Sequence, residues 1–255
     1  MKVATAADDL SQYTTDWTRS FSGGGVVVFP STTEELSSVM KYCNSNNVQV
    51  VPQAGNTSLT GGSVPVGDEI IVSMQKLNKI IEVDTINAVL IAESGCILES
   101  LSSTLNPLGF MMPYDLGAKG SCMIGGNVAT NAGGLRFLKY GSMHHNVLGL
   151  EVVLADGTVV NMLSKLRKDN AGFPLKHLFI GSEGSLGIIT KVAIQIVPLP
   201  KSRKVVMVKV TSFDFLLDFL RSTRELMGDV LSAFEFFDSA SLRALQQNMV
   251  SVFQK

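Results

Sequence analysis

The residues best suited to chemistry in this sequence are small ones, gathered in three loops. Residues 113–134, PYDLGAKGSCMIGGNVATNAGG, hold six glycines and a single acidic residue, Asp115. Residues 52–63, PQAGNTSLTGGS, lie upstream, and residues 181–190, GSEGSLGIIT, lie downstream. Each loop adjoins an apolar, strand-like run. Glycine lets a backbone come close to another backbone or to a phosphate, and it tolerates positive φ. A tight turn would explain one glycine pair; three such loops point to one shared ligand. The backbone N–H groups of residues 53–58 can form a nest for a diphosphate. Asn56, Thr57, Ser63, Ser121, Asn127, Thr130 and Asn131 offer neutral donors and acceptors for ring and sugar edges. Such a lining suits a ligand with a long polar spine and an aromatic head.

Other chemistries find less support. Neither GxGxxG nor GxxxxGK[ST] occurs, which argues against a dinucleotide-type Rossmann site and a P-loop. Around Ser185 the run GSEGSLG has the wrong spacing for a nucleophile elbow. Cys122 reads as a small packing residue. His144 and His145 are adjacent and so point different ways, and His177 stands alone, so no metal site is expected within this chain. Asp115 reads equally well as a turn aspartate and as a group facing a cofactor. Arg136 and Lys139 read as solvated charges unless a substrate acid lies near them. No catalytic residue is assigned.

The elements that must position these loops follow from periodicity. GVVVFP, residues 25–30, predicts a buried strand. Thr32 and Glu35 have capping-box spacing, and Leu36, Val39, Met40 and Cys43 recur as one apolar helix face. VQVVP, residues 48–52, is the next strand, so the first loop leaves the carboxyl end of a strand, where open α/β sheets bind ligands. Residues 69–74, 79–83 and 88–95 predict further strands, the last two forming a hairpin through Asp84-Thr85-Ile86-Asn87. Residues 97–105 predict a helix ended by Pro107 and Gly109. Residues 150–162 predict a hairpin turning at Asp156-Gly157, and residues 186–200 a long strand closed by two prolines. Beyond Pro198-Leu199-Pro200-Lys201 the pattern predicts strand 204–210, helix 213–227, strand 231–237 and a polar helix. That set is too small to close a layer, which predicts a partial second domain.

At 255 residues the chain can bury a sizeable core. Its charged fraction is 17% and its formal net charge −1, with no Lys/Arg cluster, so no nucleic-acid binding is expected. Three widely spaced cysteines do not form a disulfide framework. No apolar run approaches the length of a membrane span, and no signal peptide or Arg-rich presequence is visible. The chain reads as soluble and from a reducing compartment.

At its loops the sequence resembles the flavoprotein family whose FAD domain is shared by vanillyl-alcohol oxidase and the D-2-hydroxyacid dehydrogenases. Residues 107–160 and 166–190 carry the resemblance and closely resemble the D-2-hydroxyglutarate dehydrogenase branch. The resemblance implies an α+β, two-subdomain FAD-binding fold of the vanillyl-alcohol oxidase type over residues 1–200, and the start of an α+β substrate domain over 201–255. It implies non-covalent FAD and oxidation of D-2-hydroxyglutarate to 2-oxoglutarate, with D-lactate or another 2-hydroxy acid as the alternative substrate. By the same resemblance Pro52, Gln53, Gly55, Asn56, Thr57, Ser58, Gly62 and Ser63 would cradle the diphosphate. Pro113, Asp115, Gly117, Ser121, Gly125, Gly126, Asn127, Thr130, Asn131, Gly133 and Gly134 would line the path of the adenosine, ribityl and ring parts. Gly141, Gly187, Ile188 and Ile189 would complete it.

Two departures stand out. Ala54 replaces a glycine usual in the first loop, and it would crowd the diphosphate if that position needs positive φ. The family is also close to twice as long, and its second half carries the divalent-metal ligands and most substrate contacts. The chain therefore reads as a truncated half, with a non-catalytic flavin-binding fragment as the alternative to an enzyme. The resemblance further implies a mitochondrial location (otherwise cytoplasmic), a small 2-hydroxy acid as partner, an unnamed electron acceptor, and a homodimer as an open option.

Overall fold

The computed structural model describes residues 1–5 and 9–248. The chain divides into two compact units, Met1–Val205 and Val206–Lys255.

The first unit begins with β1 (Lys2–Thr5), the short helix α1 (Ser11–Thr14), β2 (Val26–Phe29), α2 (Thr33–Ser45), β3 (Val50–Gln53) and β4 (Ile70–Ser73). These strands form a sheet in the order β1-β2-β4-β3, with both β2 and β3 parallel to β4. The expected strand–helix–strand unit is present, but β4 lies between its two strands. Helix α2 starts where Thr32 accepts a hydrogen bond from the Glu35 N–H. The capping box is not reciprocal, because the Glu35 carboxylate accepts from the Ser31 N–H at 2.8 Å instead of from Thr32. Leu36, Val39, Met40 and Cys43 are buried on the face that periodicity picks out, against Val28, Val72 and Met74.

The second half of the unit comprises β5 (Ile80–Asp84), β6 (Val89–Glu93), α3 (Leu98–Leu105), β7 (Phe110–Met111), α4 (Ile124–Ala129), α5 (Phe137–Tyr140), α6 (Met143–Asn146), β8 (Val147–Val153), β9 (Val159–Asn161), α7 (Lys176–Phe179), β10 (Ile188–Gln195) and β11 (Val197–Pro198). An antiparallel sheet runs in the order β5-β6-β10-β8-β9. All seven residues of β8 are buried, as expected of a strand covered on both faces. The β8–β9 turn closes with the Gly157 N–H donating to Leu154 O and the Leu154 N–H donating to Thr158 O, each at 2.9 Å. The long strand expected over residues 186–200 breaks at Ile196. Its tail changes partner, β11 pairing with β7.

The main core lies between this sheet and helices α3 and α4, with Leu98, Leu101, Leu105, Ile124 and Val128 packed on Leu90, Leu150, Val192 and Ile194. The two sheets meet across α2. Thr33 Oγ1 donates to the buried Glu151 carboxylate at 2.7 Å, and Ser37 Oγ to Gly157 O at 2.6 Å.

In the second unit, α8 (Phe213–Met227) is capped by Ser212, which accepts from the Phe215 N–H, and α9 (Ser239–Asn248) follows. The rings of Phe234 and Phe236 pack on Phe219 and Phe213 of α8, with centroids 5.9 and 5.7 Å apart. The strands expected at residues 204–210 and 231–237 do not form. Their alternation is right for a sheet, but among the described residues no strand pairs with them, and Val205 is 97% exposed. A strand pattern without a hydrogen-bonding neighbour leaves its backbone to solvent.

Candidate functional site

The three loops converge on one cleft of about 380 Å³, within the range of small-molecule sites. The first loop leaves the carboxyl end of β3, the central loop runs into α4, and the third loop leads into β10. They touch through their glycines. A Cβ on Gly55 would lie 2.3 Å from Ser121 O, and one on Gly125 would lie 2.3 Å from the Ser94 Cβ. The Gly125 N–H donates to Ser94 O at 2.7 Å, which ties α4 to the end of β6. The third loop is held by the Gly181 N–H on Val128 O and the Glu183 N–H on Ala129 O. So glycine at 55 and 125 is demanded by backbone meeting backbone, before any ligand enters.

Within the first loop the backbone is left unused. Among the described residues none of the N–H groups of Ala54, Gly55, Asn56, Thr57 and Ser58 has an acceptor. Asn56 takes the left-handed conformation (φ 49°) that bends successive N–H groups toward a common point. Ala54 is not among the positive-φ residues, so the crowding expected there does not arise from φ. Its methyl instead faces Gly126, where an added Cβ would lie 2.7 Å from the Ala54 Cβ.

The polar side chains of this loop behave differently from expectation. The Gln53 amide donates to Tyr13 O and Ser63 O, at 2.7 and 2.8 Å. Asn56 Nδ2 donates to Thr15 O at 2.8 Å, while its Oδ1 accepts from the Ser63 hydroxyl at 2.7 Å. The Thr130 hydroxyl donates to Gly126 O at 3.0 Å, and that of Ser121 to Ala118 O at 3.3 Å. These groups fold the loops, because a loop stripped of bulk has only polar side chains to fix its shape. Besides the backbone, the polar atoms left to the cleft include two buried oxygens that lack partners, Ser94 Oγ and Asn127 Oδ1.

Of the residues singled out from the sequence, Pro52, Gln53, Gly55, Asn56, Thr57, Ser58, Gly62, Ser63, Gly117, Gly125, Gly126, Asn127, Thr130, Gly187, Ile188 and Ile189 line the cleft. Pro113, Asp115, Ser121, Asn131, Gly133, Gly134 and Gly141 lie outside its lining. Asp115 is drawn off by Arg136 at 3.0 Å and Lys119 at 3.6 Å, and it opens on a separate cavity of about 180 Å³. Arg136 is therefore no solvated charge: it also donates to Met112 O at 2.9 Å. Gly134, at φ 87°, makes room for Asp115 O, which accepts from the Leu135 N–H. Asn131 Oδ1 is buried without a partner.

The sequence reading missed Ser94, Met74, Leu116, Ala118, Met123, Glu183 and Gly184, all in the cleft wall. Glu183 carried a signal, as the one charge in the third loop. The others come from strands and helices whose ends meet here only in three dimensions. Cys122 also lines the wall; burial pushes its thiol up, away from reactivity. His177 is not solitary, since its Nδ1 lies 2.8 Å from His144 Nδ1. Burial, followed by the neighbouring His144 and Lys176, holds its imidazole below the ordinary value. Among the described residues no three His, Cys, Asp or Glu side chains group as metal ligands, and no helix is long and apolar enough to cross a membrane.

The chain is similar to known proteins in the same terms. It is 51% identical over 241 residues to the mitochondrial D-2-hydroxyglutarate dehydrogenase of Arabidopsis thaliana, covering 94% of this chain and 43% of that protein. It is 50% identical over 249 residues to that of Danio rerio, covering 97% of this chain and 47% of that protein. The chain thus spans less than half the length of these relatives. Among solved structures it is similar to alkyldihydroxyacetonephosphate synthase, with a TM-score of 0.69 at 22% identity over 78% of this chain and 38% of that one. Taken with the match to an FAD binding domain over residues 25–163, this likeness shows an FAD-binding fold of the vanillyl-alcohol oxidase type. A family model described as FAD binding domain matches residues 25–163, more than half of the chain. Sheets, loops and match agree, and the chain belongs to the FAD binding domain family.

Proposed function

We propose that the cleft holds FAD without a covalent bond, and that the chain is the FAD-binding part of an oxidoreductase that converts D-2-hydroxyglutarate to 2-oxoglutarate. The observation that carries the first statement is the run of N–H groups at residues 54–58 without acceptors, shaped as a nest. The fit extends further. Among the described residues no lysine or arginine lines the cleft, so a diphosphate would be met by backbone dipoles. Ser94 Oγ and Asn127 Oδ1 are buried polar atoms that a ligand with donors would complete. Met74, Leu116, Ile188 and Ile189 supply apolar wall for an aromatic ring and keep water from it. When bound, the flavin supplies the acceptor for the hydride on C2 of the hydroxy acid.

The names of the relatives support the substrate and a mitochondrial location. We take residues 1–200 as the FAD-binding domain and 201–255 as part of a substrate domain. The base, the carboxylate-holding groups and the divalent metal of the related enzymes are assigned to no residue of the cleft. A second reading, a flavin-binding chain without turnover, is favoured by the cleft wall, where among the described residues Glu183 and Cys122 are the only titratable side chains.

The test is uptake of FAD by the purified chain, followed by acid precipitation. The protein should turn yellow and release all colour to the supernatant. A colourless protein after incubation with FAD overturns the cofactor, and colour retained in the pellet overturns the non-covalent attachment.

A further inference from the structure

Glu183 is the only charged side chain in the cleft wall among the described residues. Its backbone is held at φ 52°, in the left-handed region, between Gly181 at 81° and Gly184 at 83°. Glycine would be the least strained residue at 183 too, and a strained non-glycine beside a ligand cleft points to a use for its side chain. The residue is fixed from behind by its N–H, which donates to Ala129 O at 2.9 Å. From there the side chain reaches across to the first loop. Its Oε2 lies 3.4 Å from the place a Cβ on Gly62 would occupy. Among the described residues its carboxylate has no hydrogen-bond or ion-pair partner.

A carboxylate is acceptor-only. Beside the nest of residues 54–58 it repels a phosphate and attracts a hydroxyl. Resting on the reading of the cleft as an FAD site, we infer that Glu183 accepts a hydrogen bond from a sugar hydroxyl of the dinucleotide and thereby sets which part of the ligand lies against the nest. The diphosphate takes the N–H groups, and a hydroxylated carbon chain takes the rim at Gly62. That hydroxyl belongs either to the adenosine ribose, which ADP also carries, or to the ribityl chain, which FMN carries.

The experiment compares the parent chain with Glu183→Gln and Glu183→Ala. FAD, ADP and FMN are titrated by calorimetry, and thermal unfolding is followed without ligand. A charge-assisted hydrogen bond predicts that Glu183→Ala weakens FAD by about tenfold or more, and Glu183→Gln by less. The same loss should appear with ADP or with FMN, according to which sugar is held, while unfolding of the ligand-free variants matches the parent. Unchanged FAD affinity overturns the proposal. Tighter FAD binding on loss of the charge also overturns it, because the carboxylate would then only repel the diphosphate. An equal loss for ADP and FMN, together with earlier unfolding, would mark a structural role and overturn it as well. A parent chain that binds no FAD would instead remove the reading of the cleft, and this proposal with it.

Discussion

At the scale of residues, the cleft is made by subtraction. Gly55 and Gly125 are set by neighbouring backbone, and the side chains of Gln53, Asn56, Ser63 and Thr130 are spent on folding the loops, so recognition falls to main-chain N–H groups and a few side-chain atoms left over. Gly126 shows how little room there is. Valine there would drive its branches into the Ala54 methyl, which a single Cβ already meets at 2.7 Å, and Gly126→Val should abolish FAD uptake as read by absorbance. Gly25, with nothing within 4 Å of an added Cβ, is the control, and Gly25→Ala should leave uptake intact. The same contact predicts a rescue. Gly126→Ala should lose about 1–3 kcal/mol by overpacking, and adding Ala54→Gly should restore most of it in chemical denaturation. An additive loss in the double variant would show that the two positions do not meet.

Elements set the loops by tying two sheets together. The join is polar and buried: Glu151 on β8 accepts from Thr33 on α2, from Thr190 on β10 and from Lys191. Burial pushes the Glu151 carboxyl up, but the bonds from Lys191, Thr33 and Thr190 outweigh it and hold the group below its ordinary value. A carboxyl lowered in the folded state adds stability in full above its unfolded value, and loses it as pH falls through the folded one. Glu151→Gln should therefore cost about 1–3 kcal/mol at neutral pH. The gap to the parent should close as the pH falls below about 4. A gap that stays constant into acid would mean that the charge of Glu151 does not stabilise the join.

For the whole molecule, the two compact units predict how the chain is cut. Residues 200–211 carry no helix or strand and include Lys201, Arg203 and Lys204, all exposed. Trypsin should cut there first and leave a fragment of about residues 1–200 that still takes up FAD; early cutting inside the three loops would contradict that order. Turnover is a separate matter. A positioned base is worth about 10²–10⁴ in rate, and among the described residues the cleft offers no histidine and no carboxylate but Glu183. Anaerobic mixing of the FAD-loaded 255-residue chain with D-2-hydroxyglutarate should leave the flavin oxidised over seconds, whereas full bleaching in that time would place the catalytic groups within this chain.

What the sequence determined by itself is what depends on near neighbours along the chain. The apolar face of α2, the hairpins β5–β6 and β8–β9, and the three glycine loops were legible because periodicity and turn chemistry act within a few residues. The tertiary structure alone decided the rest. It placed β4 between β2 and β3, and it paired His144 with His177 and Asp115 with Arg136 across 33 and 21 residues of chain. It also withheld the strands expected at residues 204–210 and 231–237, since a strand needs a partner that no local pattern can promise. The cleft divides the same way. Its loops could be read from composition, but Ser94, Met74 and the orientation of Glu183 could not. Which polar atoms a loop keeps for itself and which it leaves for a ligand is settled only when distant segments close on one another.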